Sequence, residues 1–216
     1  MRKRFGEKLA VLSPNGYAGW VSISLADVQA AGFPMGGEPL VALDLVDTKM
    51  LVTDPPQDLI ADPPTAEAWW RLQSSRLPDG PPPDLAATRR LRAAIRDLFD
   101  AHLEGRSPRP GSLDDVNAVV AAVPTSLRLT DADGAYREEV RWHTEQGGNA
   151  SLAATARGAI ELLADERRLA KLRRCANPNC SMLFLAETAR RQWCTPNICG
   201  NRTRVARHYA RTHQHD

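Results

Sequence analysis

The first 174 residues contain no cysteine, and aromatic side chains make up only 6% of the 216 residues. The chain also lacks any apolar run approaching the roughly 20 residues that a membrane-spanning helix requires. Its N-terminal stretch, MRKRFGEKLAVLSPNG, is basic but has neither the apolar core nor the small-residue cleavage site of a signal peptide. We therefore expect no membrane partner and a cytoplasmic chain, whose thiols stay reduced.

Recognisable catalytic patterns are missing as well. Gly147 and Gly148 form no phosphate-binding loop, and His143 stands alone after a predicted hairpin. Asp44 and Asp47 fall in and after a predicted strand, where strand alternation puts them on opposite faces. No Ser/His/Asp pattern has a local context. We predict that the protein is not an enzyme.

Net charge is only +2, but it is unevenly distributed. Residues 167–216 carry 11 Lys and Arg against two acids, whereas the other 166 residues carry 17 basic and 24 acidic side chains. An acidic body with a strongly basic end favours a polyanionic partner for that end. A solvated basic tail is the alternative.

The fold class predicted from periodicity and punctuation is α+β: a mainly helical N-terminal domain with a few strands, followed by a small cysteine-rich unit that ends in a basic helix. We place the two domains at residues 1–170 and 171–216. The predicted elements are strands at 17–24 and 38–50, a helix capped by Thr65 that carries Trp69 and Trp70, a helix over 85–104 that Gly105 stops, a helix over 112–123 capped by Ser112, a hairpin over 126–142 with a central Asp-Gly, and a long helix over 149–174.

All four cysteines lie in two C-x4-C pairs separated by 13 residues: Cys175, Cys180, Cys194 and Cys199. Both loops contain Pro and Asn, which suit tight turns. Four thiolates are the ligands of a closed tetrahedral zinc site, with no position open for substrate. The small unit has few large apolar side chains, so one structural Zn²⁺ would supply its folding free energy. Two disulfides, an iron–sulfur cluster or a redox dithiol are alternatives, and His208 or His213 could replace a cysteine ligand.

An arginine-studded segment, GNRTRVARHYARTH, follows Cys199. Asn201 could cap a helix in which Arg204, Arg207 and Arg211 share one face, which can meet phosphates or guanine edges. The predicted nucleic-acid contacts are Arg190, Arg191, Asn201, Arg202, Arg204, Arg207 and Arg211. Trp193 could stack on a base or pack beside the metal.

The stretch CANPNC…RRQWCTPNICGNRTRVARHYAR resembles the CGNR zinc finger, whose name is spelled here by residues 199–202. The preceding region resembles the ABATE domain that accompanies this finger in bacteria. The segments that carry this second resemblance are LVALDLVDT (40–48), the tryptophan helix near 69–70, LRAAIRDLFDAHLEG (91–105) and DVNAVV (115–120). About the first 35 residues stay outside both resemblances.

The resemblance implies a stress-linked transcription regulator whose finger binds DNA. The N-terminal domain would then be regulatory or dimerising, as a homodimer or as a receptor for a small-molecule effector near Trp69 and Trp70. A zinc-stapled module that holds a protein or RNA, without DNA readout, is the alternative.

Overall fold

The structure, a computed structural model, describes residues 22–51, 55–132, 134–145, 147–201 and 204–205. Its elements, in chain order, are α1 (Leu25–Ala30), α2 (Val41–Val46), β1 (Lys49–Met50), β2 (Gln57–Asp58), α3 (Pro63–Gln73), a 3-10 turn (Ser74–Arg76), α4 (Leu85–Glu104), α5 (Ser112–Ala121), β3 (Thr125–Ala132), β4 (Ala135–Trp142), α6 (Ala150–Ala164), α7 (Glu166–Leu169), β5 (Leu172–Arg174), β6 (Leu183–Leu185) and a π-helical turn (Pro196–Gly200). The strands form three two-stranded antiparallel sheets, so the predicted α+β class with dominant helices is confirmed.

Helix α4 is the centre of the body, with α2, α5 and α6 packed around it. The Asp84 carboxylate accepts the Ala86 and Ala87 N–H groups and begins the helix. Gly105 ends it in the left-handed conformation, at φ 62°. The predicted apolar stripe is buried as expected, with Leu91, Ile95 and Phe99 fully inaccessible. Helix α4 therefore presents one face to the core and leaves its arginines on another.

The prediction of a strand over 38–50 is wrong, because residues 41–46 form α2. Every residue from Leu40 to Val46 is buried, and a short, fully buried apolar run has no periodicity that separates helix from strand. The helix also overturns the expectation that Asp44 and Asp47 lie on opposite faces, because residues three apart are neighbours on a helix. Both carboxylates are buried.

The predicted single helix over 149–174 is wrong in two respects: it is interrupted at Asp165, and residues 172–174 form a strand. Asp165 ends α6 in an extended conformation, and its side chain accepts the Arg167 and Arg168 N–H groups to begin α7. Residues 172–174 then pair with 183–185 as an antiparallel ribbon. Pairing with β6 therefore overrides the helical periodicity at residues 172–174.

Two predicted caps are wrong, one by three residues and the other by one. Asp62, rather than Thr65, is the N-cap of α3, and the two side chains bond each other's backbone as a capping box. Gly111, rather than Ser112, is the N-cap of α5, because the Ser112 hydroxyl donates to Asp97 instead. The predicted hairpin is present as β3 and β4, which pair over eight residues each. Residues 17–21 of the other predicted strand lie outside the described residues, and residues 22–24 do not form a strand.

Within the described residues, no helix is both long and apolar enough to cross a membrane.

Candidate metal centre

The four cysteine sulfurs come together at the C-terminal end of the described chain. Their Sγ atoms all lie within 4.8 Å of one another, with 3.8 Å between Cys180 and Cys194 and 3.6 Å between Cys194 and Cys199. None of the four cysteines forms a disulfide, so the disulfide alternative is not realised. Cys175 and Cys199 are buried and the other two are half-buried.

This sulfur spacing fits a four-thiolate zinc ion. Tetrahedral ligands at about 2.3 Å from zinc lie about 3.8 Å from one another, which is close to the spacing found here. Hydrogen bonds from the Cys180 and Cys194 thiols lower the pKa of Cys175 to about 2, and the resulting hydrogen bond to Cys175 raises the pKa of Cys180 to about 12. The pKa of Cys194 is raised for the same reason. One thiolate therefore opposes ionisation of its neighbours, and four adjacent thiolates require a cation among them.

Two loops carry the ligands, one from each cysteine pair. In the first loop the buried Asn177 accepts the Asn179 N–H with its side chain and the Cys180 N–H with its backbone carbonyl. In the second loop the Thr195 carbonyl accepts the Ile198, Cys199 and Gly200 N–H groups, which closes the π-helical turn. A bond from the Ala176 N–H to the Gln192 carbonyl joins the two loops. The backbone thus fixes both turns independently of the metal ligands' side chains.

Trp193 packs beside the site. It joins a small apolar cluster around Phe184 and Ala186, and a Cβ atom added at Gly200 would lie 3.5 Å from its ring. The packing alternative for Trp193 is therefore the one that the structure shows.

The cysteine unit is docked on the body through buried acids. The Asp47 carboxylate accepts the Leu183 N–H at 3.0 and 3.1 Å, and the Glu38 carboxylate accepts the Leu185 N–H at 3.1 Å. Leu183 and Leu185 also belong to the same apolar core as α2 and α4. Acids on either side of α2 therefore hold strand β6 by hydrogen bonds, in addition to the burial of its leucines.

Arg191 completes this docking from the finger's side. Its guanidinium donates to Glu38 at 2.6 Å and to the carbonyls of Leu185, Trp193 and Cys194 at 2.9, 3.3 and 2.7 Å. It also stacks over the Phe184 ring, 4.5 Å from the centroid. Arg191 thus links the body to the backbone of a metal ligand.

Burial raises the pKa of Glu38, Asp44 and Asp47, and the arginines beside them only partly offset it. Asp44 is bonded at 2.7 Å to the fully buried Arg76. Sequence reasoning missed Glu38 as a docking residue and Arg76 as the buried partner of Asp44. No local signal could have found the Glu38–Arg191 pair, because 153 positions separate the two residues.

The predicted nucleic-acid residues are only partly described. Arg190 is exposed, and Asn201 and Arg204 are exposed and hydrogen-bonded to each other. Asn201 has right-handed helical dihedrals and directly follows the π-helical turn, so it stands inside a helical segment rather than at an N-cap. Arg202, Arg207, Arg211, His208 and His213 lie outside the described residues. A nucleic-acid role for any of these residues stays a prediction.

The body's tryptophans are core residues. Trp69 and Trp70 are buried and meet edge to face at 4.7 Å, and the Trp70 indole N–H donates to Thr88. Trp70 also borders a cleft of about 230 Å³ beside the proline-rich loop at 78–83. His143 shares a 2.8 Å hydrogen bond with the exposed Ser126 hydroxyl.

Comparison with protein families identifies both parts of the chain. Residues 40–166 match the ABATE family, described as "Putative stress-induced transcription regulator", and residues 171–212 match the CGNR zinc finger. The first match covers more than half of the chain, so the protein belongs to the ABATE family. Its C-terminal unit is a CGNR zinc finger, and Cys175, Cys180, Cys194 and Cys199 form its structural zinc site. A comparison with curated proteins gives no match.

Proposed function

We propose that the protein is a zinc-dependent DNA-binding transcription regulator, in which the finger contacts DNA and the body carries the regulatory part. The observation that carries the proposal is the unneutralised basic surface of the finger and its approach. Arg167, Lys171, Arg173, Arg190 and Arg204 are exposed, and among the described residues none of them forms an ion pair with a carboxylate. Exposed cations without carboxylate partners attract the phosphate backbone.

The other basic residues of this segment that the structure describes are paired with carboxylates. Arg168 pairs with Asp165, Arg174 with Asp100 and Glu104, and Arg191 with Glu38. These three cations are already used within the protein. We therefore assign Arg191 to positioning the finger, and we assign the DNA contacts to Arg190, Arg204 and the basic segment that follows.

Zinc supports this function through the fold rather than through chemistry. Cys199 is buried in the π-helical turn, and Asn201 continues directly from that turn in helical conformation. The metal would fix the start of the basic segment relative to the body. The effector and the homodimer predicted from the sequence remain predictions within this proposal.

The test is fluorescence anisotropy of the zinc-loaded full-length protein on random duplex DNA across a salt series. We expect log affinity to fall linearly with log salt, and Arg204→Ala to reduce that slope by about one while zinc content stays unchanged. Arg137→Ala is the matched control, because it removes one exposed arginine from β4 of the hairpin. Absence of duplex binding at low salt, or equal effects of the two substitutions, would overturn the proposal and favour an interaction module for protein or RNA.

A further inference from the structure

A second and larger cleft lies on the body beside α4. Its volume is about 700 Å³, within the range of small-molecule sites. One wall is a face of α4 on which residues 89, 92, 93, 96, 97 and 100 recur at helical spacing. The other walls come from the end of α2, from β1 and β2, and from the loop after α4, which contributes Arg106 and Arg109. None of the functions proposed above uses this cleft.

Arginine outnumbers carboxylate around the cleft. Each of three aspartates is shared by two guanidinium groups: Asp58 by Arg89 and Arg92, Asp97 by Arg106 and Arg109, and Asp100 by Arg96 and Arg174. Lys49 adds a further cation at the wall. Asp47 and Glu104 add carboxylates beside Arg96 and Arg106, so five carboxylates stand against seven cations. This excess of positive charge favours an anion in the cleft.

Two of the aspartates, Asp58 and Asp97, have a pKa below the usual value. Burial alone would raise the pKa of Asp58, but hydrogen bonds from Arg92 and the charges of Arg92 and Arg89 outweigh it and hold that pKa below its usual value. Burial would also raise the pKa of Asp97, but hydrogen bonds from the Arg109 backbone N–H and the Ser112 hydroxyl outweigh it and lower that pKa.

Two donors in the wall are buried without a hydrogen bond. The Arg89 Nε stands 3.6 Å from Asp58, and the Arg96 Nη1 stands 3.7 Å from Asp47, both beyond hydrogen-bonding range. The Arg96 side chain is only 12% exposed. Both nitrogens are closed off from solvent, so a ligand in the cleft would meet the exposed guanidinium groups of the wall instead. The side chains of Arg89, Arg106 and Arg109 are 41%, 39% and 64% exposed.

We propose that this cleft binds a small organic anion, with its phosphate or carboxylate group held by Arg89, Arg106 and Arg109. The apolar part of the ligand would lie against Val46, Leu51 and Ala93, which line the same cleft. Guanidinium groups recognise both oxyanions through paired N–H donors. A recessed cleft suits a small ligand better than the phosphates of a duplex.

The test is isothermal titration calorimetry of the zinc-loaded full-length protein with inorganic phosphate and, separately, with citrate, at ionic strength held constant with sodium chloride. We expect saturable binding of at least one probe, and Arg89→Gln should weaken it about tenfold or more. Arg90→Gln is the matched control, because Arg90 is exposed on the same helix and is not part of the cleft wall. Its affinity should change less than twofold.

The outcomes separate the two ligand sources. Binding of phosphate alone assigns the site to phosphate esters, and binding of citrate alone assigns it to polycarboxylates. Arg109→Gln provides a second variant, which should also weaken binding. Because that side chain is 64% exposed at the rim, its loss should leave the unfolding temperature unchanged. Saturable binding of neither probe, or equal weakening by Arg89→Gln and Arg90→Gln, would overturn the proposal.

Discussion

Removal of the Arg191 side chain tests the docking of the finger most directly. In the variant Arg191→Ala, Glu38 loses the cation that lies 2.6 Å from it, and three backbone carbonyls lose their donor. Breaking a buried ion pair by removing one partner costs about 3–5 kcal/mol. Because Arg191 is 25% exposed and Glu38 is 11% exposed, we take the lower end of that range, about 3 kcal/mol.

The measurement is thermal unfolding of the zinc-loaded protein followed by circular dichroism. For a chain of this size about 3 kcal/mol corresponds to a fall in Tm of about 6–12 °C. Arg191→Lys should lower the free energy of unfolding by roughly half as much, since an ammonium group keeps the charge but not the planar guanidinium that reaches four acceptors. Arg190→Ala is the matched control, because its side chain is exposed, and it should stay within about 0.5 kcal/mol of the parent. A loss below about 1 kcal/mol for Arg191→Ala would refute the reasoning.

Two further predictions concern the zinc site and the buried acids. Cys194→Ser, or chelation of the parent protein, should lower the unfolding temperature of the whole chain in a single transition, because Leu183 and Leu185 belong to the body's core. A second, upper transition that stays at the parent's unfolding temperature would contradict this. Burial raises the pKa of Asp47 well above its usual value, so the folded state holds a proton that the unfolded chain releases. Holding that proton stabilises the fold below about pH 4, and the stabilisation is lost as the pH rises through the folded pKa. Asp47→Asn should therefore make the stability fall less steeply with rising pH than in the parent, in urea titrations at several pH values, and an unchanged pH dependence would show that Asp47 does not hold this proton.

The metal site was predictable because its information is local. Two C-x4-C pairs with turn residues between them specify four convergent thiolates whatever the body does. The helices α4 and α5 were predictable for a similar reason, since a stripe such as Leu91, Ile95 and Phe99 reports its own periodicity. The fully buried run at Leu40–Val46 carries no such period, so the sequence could not separate helix from strand there.

The docking could not be predicted, because its partners are distant in sequence. Asp47 meets the Leu183 N–H 136 positions away, and β5 is a strand only because β6 lies beside it. The anion cleft left a partial signal: Arg89, Arg92 and Arg96 share one face of α4 with Asp97 and Asp100. That pattern is also typical of a solvated face. Only the surrounding walls distinguish a cleft from a surface.

The short connection between body and finger limits how the finger could move to meet a target. Two residues separate α7 from β5, and Arg174 is held by Asp100 and Glu104 at 2.7 and 2.8 Å. A finger mounted in this way is preorganised, so it would lose little orientational entropy on contact with a partner. It would equally lack the reach of a finger on a flexible linker, and could not adapt to sites of varied spacing. Substitutions in α2 or α4, remote from any bound partner, would then change the affinity for that partner by loosening the contacts that hold the finger on the body.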